Sequence, residues 1–256
     1  MTLPMRTFRG KQVLALVREG DYAHPGNEEP VDLMMKDVAP NVNRLILDVA
    51  CGLGGTAKYV QNQHWGKVTG IDIEAETIEY AKKTYPEIDF YVADVINADK
   101  ILQQKFDLIY ICGSFLCFAD QQDALKSLRK VAKDNTKLFL FDLVDRSDGT
   151  SVLISNQRNR VVRANSIKAL GKMLQNAGWQ FLIYEDLSEK CAYWYKNLVD
   201  KIRAKKQEII TKFGEYEYDS ALTRYTEWHQ EIHEGRIGCG IYRVQAISSS
   251  IKNRNY

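Results

Sequence analysis

The chain has 256 residues, of which 45% are hydrophobic and 27% are charged, a composition typical of a folded globular protein with one large domain and an appendage. Its 35 basic and 33 acidic residues leave a net charge of +2. So small a surplus gives no electrostatic reason to expect nucleic acid or an anionic membrane surface as a partner.

Apolar runs alternate with helix-forming segments from residue 44 onward. Strands are predicted at 44–49, 67–73, 88–95, 106–112 and 136–144, with helices between most of them. Strands that alternate with helices form βαβ units. The sequence therefore predicts an α/β fold with a mostly parallel sheet and helices on both of its faces.

The alternation stops after residue 145. A helix is predicted at 166–179 and a strand at 180–188. Two long helices follow, and the chain then returns as a last strand at 239–248. Residues 189–235 therefore look like a helical insertion between the last two of seven strands.

The cysteines and the apolar segments bear on the compartment. Five cysteines occur without a CxxC pair, so neither a disulfide framework nor a zinc site is expected, and a reducing environment fits best. The first residues lack the apolar core of a signal peptide, and the longest apolar run, 106–118, is too short to cross a bilayer. We therefore expect a cytoplasmic protein without membrane insertion. The sequence does not indicate an oligomeric state.

The stretch LILDVACGLGG, residues 45–55, ends a predicted strand in an acid, Asp48, and then a glycine loop. Glycines such as Gly52 and Gly54 let the backbone approach a ligand without a Cβ in between. Such a loop is also common as a plain turn, so the loop alone does not predict a ligand.

Two further acids strengthen the case for a ligand. Asp72 ends the second predicted strand, where a carboxylate can bind the hydroxyls of a ribose. Asp94 ends the third, where a carboxylate can accept a hydrogen bond from an adenine amino group. Each acid alone could be a helix N-cap, but their shared register favours a binding site. Because the GxGxxG spacing of dinucleotide sites is absent, the pattern favours an adenosyl ligand without phosphates.

At these residues the sequence resembles a known family. The segments LDVACGLGGTAKYV, VTGIDI, VADV and FDLIYICGSFLCFAD are similar to the successive motifs of class I S-adenosylmethionine-dependent methyltransferases, over about residues 20–145. The resemblance implies a Rossmann-like core and S-adenosylmethionine as the cofactor. The residues that it implies as cofactor contacts are Tyr22, Asp48, Ala50, Gly52, Gly54, Asp72, Ile73, Asp94, Val95 and Cys112.

A closer similarity is to phosphoethanolamine and sarcosine/dimethylglycine N-methyltransferases, through DYAHPGNEE near the start and GRIGCGIYRV near the end. It implies four parts: N-terminal lid helices at 1–40, the cofactor-binding core at 41–188, a helical cap at 189–235, and the last strand and tail at 236–256. Phosphoethanolamine enzymes have Asp and a catalytic His where this chain has Gly113 and Cys117. The phosphobase substrate is therefore not carried over.

Residues of the lid and the cap are candidates for the chemistry. We expect Tyr22 and His24 on the lid to be catalytic, and Cys117, Tyr195 and His229 to contact the substrate. His229 and His233 have a metal-ligand spacing, but no third ligand accompanies them, so no metal is expected. The aromatic residues of the cap fit a hydrophobic core and a substrate pocket equally well.

The predicted function is methyl transfer from S-adenosylmethionine to a small-molecule acceptor, an amine, by in-line displacement. The alternative within the class is O- or C-methylation of a phenol, quinone or terpenoid. Outside the class, the alternatives are a non-catalytic cofactor-binding module and a nucleotide-dependent oxidoreductase. The missing GxGxxG argues against the oxidoreductase.

Overall fold

The computed structural model describes residues 6–147, 153–155, 160–162 and 164–248. Seven of the strands in these residues form one sheet, and two others form a hairpin. The strands are β1 (Leu45–Val49), β2 (Lys67–Asp72), β3 (Asp89–Val92), β4 (Phe106–Cys112), β5 (Ala132–Asp145), β6 (Leu153–Ser155), β7 (Arg160–Val162), β8 (Trp179–Asp186) and β9 (Ile237–Ala246). The hairpin is β6–β7.

Helices flank the sheet and extend beyond it. They are α1 (Phe8–Arg18), α2 (Glu29–Met35), α3 (Gly55–Asn62), α4 (Ala75–Thr84), α5 (Ala98–Ile101), α6 (Gln121–Lys130), α7 (Ile167–Asn176), α8 (Ser188–Ala204), α9 (Lys206–Phe213) and α10 (Glu215–His233). The sequence predicts two long helices between β8 and β9, but the structure has three, because the first is interrupted at Lys205.

The strand order is β3-β2-β1-β4-β5-β9-β8. Strands β1 to β5 are parallel, and β9 runs antiparallel between β5 and β8. The prediction of a Rossmann-like, mostly parallel seven-stranded sheet is thus confirmed. The direction of strand addition reverses between β1 and β4, and this switch point is where open α/β sheets bind ligands.

Both faces of the sheet are buried at its central strands β1 and β4, which explains why these two strands are mostly apolar. Along β1 and β4, successive side chains enter two separate clusters: Ile46 and Tyr110 belong to one, and Leu47, Ile109 and Ile111 to the other. All five are 0% exposed. Burying such side chains stabilises the fold by roughly 1.5–3 kcal/mol each.

The two helices before β1 are bonded to the helices between β8 and β9. Arg9 on α1 donates to the carboxylate of Glu217 on α10 at 2.6 Å. Trp194 on α8 donates to Glu29 on α2 at 2.8 Å. Lys205, at the interruption between α8 and α9, donates to a carbonyl of α1 at 3.1 Å. The segments before β1 and between β8 and β9 therefore pack together at the carboxyl ends of the parallel strands.

Cys191 in α8 and Cys239 in β9 form a disulfide that the cysteine spacing did not predict. The amide of Leu187 donates to the carbonyl of Cys239, which brings the two Cα atoms to 6.2 Å. The spacing of the cysteines does not predict this pairing, because the two residues are 48 positions apart and meet only where the insertion returns to the sheet. Disulfides are typical of oxidising compartments, so the cysteines no longer favour the cytoplasm, which stays a prediction.

Of the helices in the described residues, none combines the length and the apolar composition needed to cross a membrane. Within the same residues, no group of three or more His, Cys, Asp and Glu side chains is placed to share a metal ion. The rings of His229 and His233 lie 5.9 Å apart on α10.

Gly70 offers a test of the packing between β2 and β3. A Cβ there would lie 2.5 Å from the ring of Phe90 and 2.9 Å from the Sγ of Cys51. We expect Gly70→Ala to lower the melting temperature, because overpacking costs about 1–3 kcal/mol. Gly171 in α7 is the control: nothing lies within 4 Å of its added Cβ, so Gly171→Ala should be neutral or stabilising. Equal melting temperatures for the two variants, followed by circular dichroism, would contradict this packing.

Candidate active site

A cavity of about 360 Å³ opens at the carboxyl ends of the parallel strands. Val49, Asp72, Ala93 and Gly113 line it from the ends of β1, β2, β3 and β4 or directly after them. The helices before β1 and between β8 and β9 supply other parts of the wall. The cavity therefore spans the β1/β4 switch point and is partly covered by the two helical segments.

The loop after β1 turns sharply because several of its residues have positive φ. Ala50, Gly52 and Gly54 have φ values of 59°, 58° and 93°. A Cβ on Gly54 would lie 2.9 Å from the ring of Phe90, so only glycine fits there. Ala50 and Gly52 line the cavity, whereas Gly54 is the N-cap residue of α3 and does not line it.

Asp72 organises the acidic end of the cavity. Its carboxylate accepts hydrogen bonds from the amides of Gly52 and Glu74, both at 3.0 Å, and its side chain is 5% exposed. The ammonium of Lys11 on α1 contacts both carboxylate oxygens, at 3.1 and 3.0 Å. One carboxylate thus fixes the glycine loop, the start of α4 and the first helix.

The acidic end suits a nucleoside without phosphates. Asp72 and Asp94 both line it, and carboxylates accept the hydrogen bonds that a ribose diol or an adenine amino group donates. Ile73 and Val95 line the same end and provide apolar contact for a base. Asp94 also accepts from the amide of Ile96 at 3.2 Å, so it is a helix cap as well as a cavity residue.

The other end of the cavity is basic and aromatic. The rings of Tyr195 and Tyr225 stack with centroids 6.1 Å apart, and Trp228 packs edge-on against both. The guanidinium of Arg224 lies 5.9 Å from the centre of the Trp228 ring. Arg18 lines this part of the cavity from the end of α1. The cavity is therefore asymmetric, with carboxylates at one end and arginines and aromatic rings at the other.

Eight of the residues predicted for the site line the cavity: Ala50, Gly52, Asp72, Ile73, Asp94, Val95, Cys117 and Tyr195. Six others do not: Tyr22, His24, Asp48, Gly54, Cys112 and His229. Each of these six lies within two residues of a residue that lines the cavity.

Tyr22 and His24 do not line the cavity, and their catalytic roles stay predictions. The hydroxyl of Tyr22 donates to Glu28 at 2.7 Å, and burial raises the pKa of Tyr22. His24 is 2% exposed, with Nε2 2.9 Å from the hydroxyl of Thr56. The neighbours Ala23 and Pro25 line the cavity instead, because the side chains of this loop alternate in direction.

Asp48 and Cys112 lie beneath the cavity at the ends of β1 and β4 rather than in its wall. Asp48 is 2% exposed, and burial raises its pKa to about 7. Burial also raises the pKa of the Cys112 thiol, so this sulfur stays protonated. These residues therefore support the loop from below and do not line the space that a ligand would fill.

His229 lies outside the cavity, so its expected contact with the substrate is not supported. Its Nδ1 is buried without a hydrogen-bond partner among the described residues. Trp228, one residue earlier on α10, faces the cavity instead. The contact of His229 with the substrate stays a prediction.

The sequence predictions missed Lys11 and Arg18, both on α1. A signal for Arg18 was present, since it follows Leu14 by one helical turn, and Leu14 belongs to the buried stripe formed with Val13 and Val17. A charged residue on such a stripe is unusual and indicates a special environment. Lys11 has no comparable sequence signal, because its partner Asp72 is distant in the chain.

Burial of His24 predicts a pH dependence of stability. Burial lowers the pKa of His24 from 6.5 to about 3, so the unfolded chain binds a proton below pH 6.5 that the folded protein does not. The free energy of unfolding should therefore decrease as the pH is lowered below 6.5, by up to about 1.4 kcal/mol per pH unit from this group. We expect His24→Gln to show a shallower slope in urea unfolding between pH 6.5 and 5. Identical slopes would contradict a neutral buried His24.

Comparisons with known proteins agree with this geometry. Residues 46–135 match the family model described as a methyltransferase domain. The chain is 24% identical over 226 residues to phosphoethanolamine N-methyltransferase 1 of Zea mays, a match that covers 86% of this chain and 45% of that protein. It is 30% identical over 117 residues to an O-methyltransferase of Pyrenophora dematioidea, which covers 43% of each chain.

A solved structure shares the whole fold. Phosphoethanolamine N-methyltransferase 2 of Haemonchus contortus, in complex with phosphomonomethylethanolamine and S-adenosylhomocysteine, has a TM-score of 0.79 at 15% identity, over 96% of this chain and 58% of that chain. The chain spans about 45% of the length of its maize relative. These matches identify a methyltransferase domain in residues 46–135 and show that the fold is that of a methyltransferase solved with S-adenosylhomocysteine.

Proposed function

We propose that the protein transfers the methyl group of S-adenosylmethionine to a small-molecule acceptor, an amine. One observation carries this proposal: a single cavity has Asp72 and Asp94 at one end and Tyr195, Tyr225 and Trp228 at the other. Cofactor and acceptor would therefore share one space. The N-methyltransferase relative from maize supports an amine as the acceptor.

S-adenosylmethionine, when bound, supplies a methyl group on a positively charged sulfur that is reactive without further activation. The residues of this chain would hold and align the two molecules. Asp72 and Asp94 would bind the nucleoside part by accepting its hydrogen bonds. Leu14 from the helices before β1 and Tyr225 from α10 would cover the cavity and exclude water.

Three titratable side chains at the aromatic end of the cavity, Tyr195, Tyr225 and Cys117, cannot act as bases at neutral pH. Burial raises the pKa of Tyr195 and of Tyr225, and it raises the pKa of Cys117 to about 11. These three groups therefore stay protonated. The arginines that line the same end disfavour a bound ammonium ion, so the acceptor amine would react as the neutral base that enters from solution.

Methylation of a phenol, quinone or terpenoid at oxygen or carbon is the alternative reaction. The O-methyltransferase relative supports it, and a phenol would have to enter as its phenolate, because the three protonated groups above cannot take its proton. A non-catalytic binding module is the alternative of another class. Such a module would bind S-adenosylhomocysteine, yet no acceptor would compete for the rest of the cavity.

Asp72 provides the first test of the cofactor site. We expect Asp72→Ala to weaken the binding of S-adenosylhomocysteine by about 1–3 kcal/mol, because a charged acceptor of hydrogen bonds is lost. The control is Asp89→Ala, which removes an exposed acid at the start of β3, 3.3 Å from Lys67. Calorimetry on both variants, with melting curves, measures the effect. An affinity of Asp72→Ala equal to that of Asp89→Ala would refute the assignment of Asp72.

The lack of a base predicts how the rate depends on pH. We expect kcat/KM to rise with pH up to the pKa of the free amine, because only the neutral acceptor reacts. Two acceptors of different amine pKa should show midpoints that differ by the same amount. A single midpoint shared by both acceptors would instead indicate a base of the protein, and the proposed mechanism would be wrong.

A further inference from the structure

Arg18 is a buried cation for which the described residues provide no ion pair. It is the last residue of α1, its side chain lines the cavity, and the residue is 4% exposed. Both terminal nitrogens of its guanidinium, Nη1 and Nη2, are buried without a hydrogen-bond partner among the described residues. Its backbone carbonyl, by contrast, accepts a hydrogen bond from Asn27 at 3.2 Å.

The structure shows no ion pair between Arg18 and an acidic side chain among the described residues. The titratable groups that act on it are the phenols of Tyr225 and Tyr195 and the thiol of Cys112. Burial raises the pKa of each, so all three are uncharged. His24, which Arg18 also influences, has its pKa lowered by burial and is uncharged as well.

A desolvated guanidinium with unused donors is costly. Burial lowers the pKa of Arg18, but arginine stays protonated in proteins, so the charge remains. Buried charges are normally paired, because an unpaired one loses its hydration without compensation. The planar fork of a guanidinium fits the two oxygens of a carboxylate or phosphate. The unused donors therefore point to an anionic partner that enters the cavity.

We propose that Arg18 is a specificity residue that binds an oxyanion of the acceptor, a carboxylate. This inference rests on the proposed function, since it names a group on the acceptor of the same site. Arg18 faces Tyr195 and Tyr225, the aromatic side of the cavity, whereas Asp72 and its partner Lys11 lie at the acidic side. That position favours the acceptor over the cofactor as the carrier of the oxyanion.

The cofactor also carries a carboxylate, on its methionine part, so the test separates the two sources. The first arm compares S-adenosylhomocysteine with 5′-methylthioadenosine, which lacks that carboxylate. We expect Arg18→Met to leave the ratio of their dissociation constants within about twofold of the wild-type ratio. If Arg18→Met weakens S-adenosylhomocysteine about tenfold and spares methylthioadenosine, the oxyanion belongs to the cofactor and the proposal is overturned.

The second arm uses matched probes on protein loaded with S-adenosylhomocysteine. The pairs are benzoate with benzamide and sarcosine with its amide, and calorimetry gives each dissociation constant. We expect the wild type to prefer the carboxylate of at least one pair by about tenfold or more, and Arg18→Met to lose this preference. Equal binding of both members of both pairs by the wild type, or no binding, would overturn the proposal.

Two further variants guard against misfolding and against a general charge effect. Arg18→Lys keeps the charge but not the planar fork, so it should retain part of the preference. Arg224→Met removes another cation of the cavity wall and should keep most of it. An equal loss in Arg224→Met would indicate a diffuse field and contradict a specific site. If wild-type protein fails to bind S-adenosylhomocysteine at all, the proposed function fails first, and the two failures are distinct.

Discussion

The hydrogen bonding of Asp72 sets the geometry of the cavity. A carboxylate that loses its water must recover the lost interactions from fixed donors. Here the donors come from three places that are distant in the chain: the glycine loop, the start of α4 and Lys11 on α1. Because the carboxylate of Asp72 accepts hydrogen bonds from all three, it fixes the glycine loop, the start of α4 and the helix α1 relative to the end of β2.

The two ends of the cavity differ in how they treat charge. At the acidic end the carboxylate of Asp72 is paired with the ammonium of Lys11. At the aromatic end Arg18 has no such partner among the described residues. Asp72 is thus satisfied by groups of the protein itself, whereas the guanidinium of Arg18 has hydrogen-bond donors that are left for a ligand.

The sequence predicts those features that depend on local patterns. The strand and helix periodicity located most of the sheet, and the acids at strand ends located Asp72 and Asp94. Side-chain direction was harder, since Tyr22 and His24 belong to the right loop but point away from the cavity, where Ala23 and Pro25 face it. Long-range pairs such as Cys191 with Cys239 depend on how distant segments return to the sheet, which no local pattern encodes.

The bonds between the first two helices and the helices before β9 constrain the dynamics of the cavity. Arg9 with Glu217 and Trp194 with Glu29 join the two segments at separate points. Segments tied at several points open cooperatively, because releasing one without the other breaks these bonds. The helices before β1 and those between β8 and β9 would therefore move as one body, and their opening would set the residence time of bound molecules. In such an enzyme, release of product rather than chemistry can limit the overall rate.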